Sequence, residues 1–259
     1  PSAGMVKMTA KLSIQNLSFT YSDGAQALQQ INMDIAPNEL FVLFGPSRAG
    51  KTTLLRLLNR LSDLLEGTQR TGEVLFNGRD VFAPNVDVID LRRRIGMVFA
   101  VPTPLPGSIY DNLAYGLQMA GIRDRRVISE RVERSLRQAA LWDEVKDRLQ
   151  DSAFALSGGQ KQRMCLARSL ALEPEVILLD NPTSGLDPIS TAMVEDSLFE
   201  LKQQYTIIMV PHSVQQASRV ADKAAFLLNG EVVEIGSQQQ IFINPKDKRT
   251  EDYVTGRFG

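Results

Sequence analysis

The stretch GPSRAGKTT (residues 45–53) offers the clearest chemistry, fitting G-x-x-x-x-G-K-[ST] through Gly45, Gly50, Lys51 and Thr52. At average residue usage, such a match arises in roughly one chain per hundred. Here it follows an apolar run and opens a helical pattern, the context the motif needs. Glycine lets the turn of Gly45, Pro46, Ser47, Arg48, Ala49 and Gly50 wrap backbone N–H groups around phosphate oxygens. The helix start at Lys51, Thr52 and Thr53 adds a favourable field. In that arrangement Lys51 neutralises the β- and γ-phosphates of a nucleotide, and Thr52 supplies an oxygen to Mg²⁺. The plainer alternative is a glycine turn carrying a surface lysine.

Three other places carry chemical groups. VILLDNPTSGLDP (176–188) places Asp180 where a metal-binding strand end should be, but follows it with the neutral amide Asn181. A phosphate-cleaving enzyme of this kind needs a carboxylate there. In LSGGQKQRM (156–164), Ser157, Gly158 and Gly159 lead into a helix and leave N–H groups and a hydroxyl facing outward, a second anion cradle. A helix cap alone would also explain Ser-Gly-Gly. His212, the one histidine, closes the apolar run TIIMVPH.

The elements that must position these residues alternate along the chain. ELFVLFG (39–45) is a nearly continuous apolar run, the mark of a strand buried on both faces. After the glycine loop, KTTLLRLLNRLSDLL (51–65) repeats Leu54, Leu57, Leu58, Leu61 and Leu65 at helical spacing. EVILLD reads as a strand, residues 189–203 as a helix, and TIIMVPH as a strand again. Such alternation implies a mainly parallel sheet. KLSIQNLSFTY and GEVLFNGRDVF read as further strands bounded by turn residues, with Asn77-Gly78 inside the second. AAFLLNGEVVEIG reads as a hairpin turning at Asn229-Gly230. Between about 101 and 172 the strand signal vanishes, and VISERVERSLRQAAL puts Ile128, Val132 and Leu136 on one helix face. Glu130–Arg134 and Glu133–Arg137 fall at i, i+4 on the same helix.

Composition sets the bounds. The 259 residues are 43% hydrophobic with a formal charge of −1, enough for a real core and without the basicity of a nucleic-acid binder. The arginines of the helical stretch alternate with acids, as on a solvated face. The single Cys165 excludes an internal disulfide, and its apolar helical setting reads as packing. No apolar stretch reaches the roughly 18–20 residues of a membrane span. Residues 1–10 are expected to be disordered or a processing remnant, since Pro1 is no initiator.

Taken together, the glycine loop and LSGGQKQRM resemble the hallmark sequences of the ABC-transporter ATPases, and the resemblance runs from about residue 11 to 259. LRRRIGMVF, PTPLPGSIYDNLAYG, ARSLALEPEVILLD and the tail NPKDKRTEDYVTGRFG are similar to the branch of that family that powers phosphate import. The tail is the most discriminating, because general ATPase mechanics do not demand it. The resemblance implies an α/β fold: a nucleotide-binding core over about 11–100 and 173–236, with a mainly parallel sheet and an antiparallel β subdomain. A helical subdomain spans about 101–172 and a tail about 237–259.

It also implies roles. Tyr21 stacks on adenine, unless it is a strand tyrosine packed on the sheet. Asp180 holds Mg²⁺ through water, His212 senses the γ-phosphate, and Asp187 in SGLD signals to the opposite subunit. Two chains pair head to tail, so that Ser157, Gly158, Gly159 and Gln160 of one close on ATP held by the Lys51 loop of the other. The implied partners are a second ATPase subunit, transmembrane permease subunits docking near the helical segment and, indirectly, a periplasmic or extracellular phosphate-binding protein. The implied location is the cytoplasmic face of the membrane.

Three positions depart from the family pattern. Arg48 stands where glycine is usual, at a variable place in the generic loop, so nucleotide binding is expected to survive. Ala100 replaces the glutamine that relays nucleotide state to the membrane partner, and its methyl can neither coordinate nor hydrogen-bond. Asn181 replaces the glutamate that polarises the attacking water. An amide accepts no proton at neutral pH, although its carbonyl can still orient water. Loss of general-base assistance costs about 10²- to 10⁴-fold in rate, so hydrolysis is expected to be weakened. The rival reading is a hydrolysis-deficient nucleotide sensor. A deliberate trap would have kept side-chain length with glutamine, so Asn181 reads as natural divergence.

Overall fold

A computed structural model describes residues 10–257. The expectation for residues 1–10 therefore lies outside the described residues, apart from Ala10. The chain opens with β1 (Leu12–Thr20), β2 (Gln26–Ile35), β3 (Leu40–Phe44), α1 (Lys51–Leu58), β4 (Gln69–Phe76) and β5 (Arg79–Asp80). Then come α2 (Val88–Arg94), β6 (Ile95–Val98) and the helices α3 (Ile109–Met119), α4 (Arg125–Gln138), α5 (Trp142–Val145) and α6 (Gly158–Leu170). The remainder is β7 (Val176–Asp180), α7 (Pro188–Leu201), β8 (Thr206–Val210), α8 (Val214–Val220), β9 (Lys223–Leu228), β10 (Glu231–Ser237), α9 (Gln238–Phe242) and α10 (Lys248–Val254).

These elements make the expected α/β architecture. One sheet runs β10-β9-β3-β8-β7-β6, parallel except at the β9–β10 hairpin. A second, antiparallel sheet runs β2-β1-β4-β5. The apolar runs of β3, β7 and β8 are buried throughout because each strand lies between two cores. Leu40, Val42 and Phe44 join Ile177, Leu179, Ile207 and Met209 against the helices. Their alternates Phe41, Leu43, Val176, Leu178, Ile208 and Val210 join α1 and the antiparallel sheet. A register slip of one residue would exchange the two sets, so the register is strongly specified.

Several local expectations needed correction. The helix expected over 51–65 stops at Leu58, because Arg60 turns left-handed (φ 61°) and residues 61–64 form a single 3-10 turn. The Arg92 guanidinium donates to the carbonyls of Asn59 and Arg60 at 3.3 and 2.7 Å, stabilising the early end. GEVLFNGRDVF is split by its Asn77-Gly78 turn into β4 and β5. On α4, Ile128, Val132 and Leu136 are buried as expected and Arg137 meets Glu133. Glu130, however, pairs with Arg126, while Arg134 and Arg131 both reach Glu173 beyond α6. A tertiary partner displaced the local i, i+4 pair. The hairpin at Asn229-Gly230 is present, with positive φ at both residues as its tight turn requires.

Among the described residues no helix is long and apolar enough to cross a membrane.

Candidate functional site

Three parallel neighbours, β3, β8 and β7, bring their C-terminal ends to one edge of the sheet. The loop after β3 is 45–50, Asp180 and Asn181 sit at the end of β7, and His212 follows β8. In open α/β sheets this edge is where ligands bind.

The glycine loop has a close approach built into it. Gly45 has φ 144°, and a Cβ there would lie 2.0 Å from the Leu227 carbonyl oxygen of β9. Only glycine lets the chain leave β3 at this angle. Gly50 forms the N-terminal boundary of α1, and no side chain caps that helix, so its leading N–H groups are free for an anion. Lys51 folds back, donating to the carbonyls of Gly45 and Pro46 at 2.8 and 2.6 Å. Burial pushes its ammonium pKa down, partly offset by the Asp180 charge. A phosphate would replace those carbonyls with stronger, charge-assisted partners. Ser47 and Arg48 are exposed, whereas Ala49 and Thr53 are buried.

Arg48 has φ 65°, a left-handed conformation that favours glycine. The loop keeps the glycine-type backbone, and the arginine bears the strain.

Thr52 donates its hydroxyl to Asp180 Oδ1 at 3.1 Å, and Asn181 Nδ2 donates to the same oxygen at 3.2 Å. A hydroxyl beside a carboxylate is a hard-oxygen pair suited to Mg²⁺. Among the described residues there is no cluster of three or more His, Cys, Asp or Glu side chains. A metal here would therefore depend on nucleotide phosphates and water for its other ligands. The Asn181 amide, turned with its NH₂ towards Asp180, leaves its carbonyl oxygen to accept from water. Asn181 also has φ 47°, and its N–H donates to Val210 O at 2.9 Å, tying the ends of β7 and β8 together.

Tyr21 is half-buried. Its hydroxyl shares a 2.7 Å hydrogen bond with Thr53 Oγ1, and its ring stands edge-on to Phe19. It is thus tethered to the first turn of α1. His212 is exposed, and its N–H donates to Gln216 Oε1 at 2.9 Å. Gln216, 2% exposed, also donates to Thr183 Oγ1 and Glu195 Oε1 at 2.8 and 3.0 Å, joining the His212 loop to the segment after Asn181. Sequence reasoning missed Gln216, because a glutamine in a short helix carries no local sign of being a hub.

The second cradle lies at the start of α6. Ser157 and Gln160 form a reciprocal capping box, and Gln160 Nε2 donates to Glu144 Oε2 at 2.8 Å. Glu144 also accepts from the buried Arg163 at 2.6 Å. Burial opposes its ionisation, but Arg163 and Gln160 outweigh this and hold its pKa below the usual carboxylate range. Gly158 faces open space, whereas a Cβ on Gly159 would lie 2.5 Å from Ser190 Oγ on α7. Ser190 in turn donates to Asp187 at 2.6 Å, so the cradle and the SGLD loop are mechanically joined. Asp187 caps α7, and the Ser190 hydroxyl and N–H lower its pKa.

Ala100 follows Phe99, whose carbonyl accepts from the buried Gln162 of α6 at 3.0 Å. The chain after β6 is therefore anchored to the cradle helix through backbone, without a side chain at position 100.

The family model described as ABC transporter matches residues 28–184. Phosphate import ATP-binding protein PstB 2 of Lactiplantibacillus plantarum is 52% identical over 97% of this chain and 100% of its own length. PstB 1 of Vibrio parahaemolyticus is 54% identical over 96% of this chain and 91% of its own. Among solved structures, cbiO1 from Clostridium perfringens, part of the ABC transporter complex cbiONQ, superposes with a TM-score of 0.79 at 28% identity, covering 96% of both chains. A bacterial Atm1-family ABC exporter with ATP bound gives 0.80 at 24% identity over 44% of its chain, a likeness of fold. The chain belongs to the ABC transporter family, as one of its ATPase subunits.

Proposed function

We propose that this ATPase binds MgATP in the Lys51 loop and powers uptake of inorganic phosphate through a membrane permease. The near-full-length identity to the two phosphate-import ATP-binding proteins supports the cargo. The single observation that carries the nucleotide chemistry is the meeting of Lys51, Thr52 and Asp180 at one sheet edge. Lys51 exchanges its carbonyl partners for the β- and γ-phosphates, and the uncapped start of α1 holds their remaining charge. Mg²⁺, when bound, supplies charge neutralisation between phosphates; Thr52 and Asp180 would hold it, Asp180 through water. Tyr21 offers its ring to adenine, and His212 faces the γ-phosphate side. Ser157, Gly158, Gly159, Gln160 and Asp187 of a second copy complete the site from the opposite side.

The permease docks beside Ala100. A groove of about 270 Å³ there is lined by Phe99, Val101, Tyr115 and Leu172, among others. Phe99, Val101, Tyr115 and Met119 expose 43, 74, 54 and 69% of their surface, an apolar patch that needs a cover. Docking there places the chain on the cytoplasmic face of the membrane. Co-purification with a multi-span permease tests this; a chain that never associates with membranes would defeat it.

Asn181 and Ala100 favour a second reading, a nucleotide sensor whose ATP-driven closure is itself the signal. Steady-state phosphate release separates the two. Turnover above background in the parent, raised further by Asn181→Glu, supports a slow engine; turnover at background in the parent supports the sensor.

A further inference from the structure

The C-terminal segment after β10 takes no part in the chemistry above, yet it packs beneath the entrance of the phosphate loop. Two sets of contacts fix its place. Glu234 of β10, only 9% exposed, accepts the N–H groups of Lys246 and Asp247 at 2.9 and 3.1 Å and the Gln240 amide at 3.2 Å. The turn between α9 and α10 thus satisfies a buried carboxylate, and displacing it would leave that charge unpaired. The second set is aromatic. The Tyr253 ring of α10 stacks on Phe226 at 5.0 Å, and Phe242 of α9 lies 5.0 Å from Phe44. Phe44 is 5.2 Å from Phe226 and 6.1 Å from Tyr253.

Phe44 is the last residue of β3 and immediately precedes Gly45. The other side of that entrance is β9, whose Leu227 carbonyl leaves no room for a Cβ on Gly45. Three residues on, Arg48 sits in a left-handed conformation. Such strain persists only where the surroundings over-determine the backbone. The tail supplies two of the three rings packed on Phe44, from which the loop departs.

We propose that the C-terminal segment is a positioning element for nucleotide binding: Tyr253 and Phe242 fix Phe44 and hence the exit angle of the phosphate loop, with Glu234 as the latch that holds the segment down. This gives a task to a tail that the ATPase chemistry above leaves unexplained.

The test compares the full chain with Tyr253→Phe, Tyr253→Ala, Phe242→Leu and Glu234→Gln. Affinity for a fluorescent ATP analogue with Mg²⁺ is read alongside amide hydrogen exchange over 44–50 measured without nucleotide. Loss of one aromatic contact is worth about a fivefold change in affinity. Tyr253→Ala should weaken binding by about that factor and speed exchange in the loop, while Tyr253→Phe, which keeps the ring, stays near the parent. A tail that only adds stability would lower the melting temperature and leave affinity and loop exchange unchanged, which overturns the proposal. Should Tyr253→Ala fail to fold, unchanged affinity and exchange in both Phe242→Leu and Glu234→Gln overturn it equally. Exchange needs no ligand, so it reports on the brace independently of nucleotide binding.

Discussion

Asn181 and Arg48 both have left-handed backbone, but the two residue types tolerate it differently. Asparagine is several-fold enriched in that region, and a longer side chain at φ 47° costs about 1 kcal/mol more. Asparagine at position 181 therefore relaxes the backbone where the chain leaves β7 toward α7, at the place where the proposed mechanism would want a general base. Asn181→Glu should raise ATP turnover by about 10²- to 10⁴-fold while lowering Tm by about 2–4 °C, read by phosphate release and calorimetry on the same preparations. An unchanged rate would mean that the missing carboxylate is not what limits turnover. Arg48→Gly should act in the opposite direction. Relief of about 1–2 kcal/mol of strain, less about 0.5–1 kcal/mol of extra unfolded-state entropy, leaves a net gain and a Tm rise of about 2 °C. A fall in Tm would show that the arginine side chain compensates for its backbone.

At the scale of elements, the two sheets are joined near Glu175, which immediately precedes β7. Its carboxylate receives Lys11 from the strand edge of β1 at 2.5 Å, Arg94 from α2 at 2.7 Å and Asn77 from the β4–β5 turn at 3.0 Å. Burial raises its pKa, but Lys11, Asn77 and Arg94 outweigh this and bring it from 4.5 to about 2. A depressed carboxylate contributes stability that is complete above its unfolded pKa and is lost as pH falls from about 4.5 through about 2. The full shift would be worth about 3 kcal/mol. The side chain is 35% exposed, so screening leaves on the order of 1 kcal/mol. Between pH 5 and 2, Glu175→Gln should flatten the fall in unfolding free energy by that amount. Parallel curves for parent and variant would remove Glu175 from the account of acid stability.

For the molecule as a whole, the exposed Ser157–Gly158 face and the uncapped loop at Gly50 lie on one chain but are proposed to act across two. The proposed slow engine at Asn181 predicts that the ATP-closed pair accumulates. Light scattering after chromatography should show MgATP converting monomer to dimer. Ser157→Arg should abolish the dimer and leave nucleotide binding by the single chain within about twofold, since the Ser157 hydroxyl caps its own helix at Gln160 rather than bonding to the phosphate loop. A variant that still dimerises would place the interface elsewhere.

What the sequence determined by itself was local: the glycine loop, the fully apolar strands β3, β7 and β8, the Asn229-Gly230 hairpin and the buried stripe of α4. Each is a short-range pattern in which backbone freedom or side-chain periodicity acts within a few residues. β2 was illegible, because Gln30 at φ 46° breaks its alternation, so that Leu28 and Ile31 are both buried out of step. The early end of α1 was equally hidden, since the group that captures the carbonyls just past it, Arg92, comes more than thirty residues later. Only the tertiary structure decided that Gly45, Asp180 and His212 end neighbouring parallel strands, that Gln216 joins two of those ends, and that Tyr253 reaches Phe44. Such contacts depend on strand order and on which core each face meets, and no short window of residues contains either.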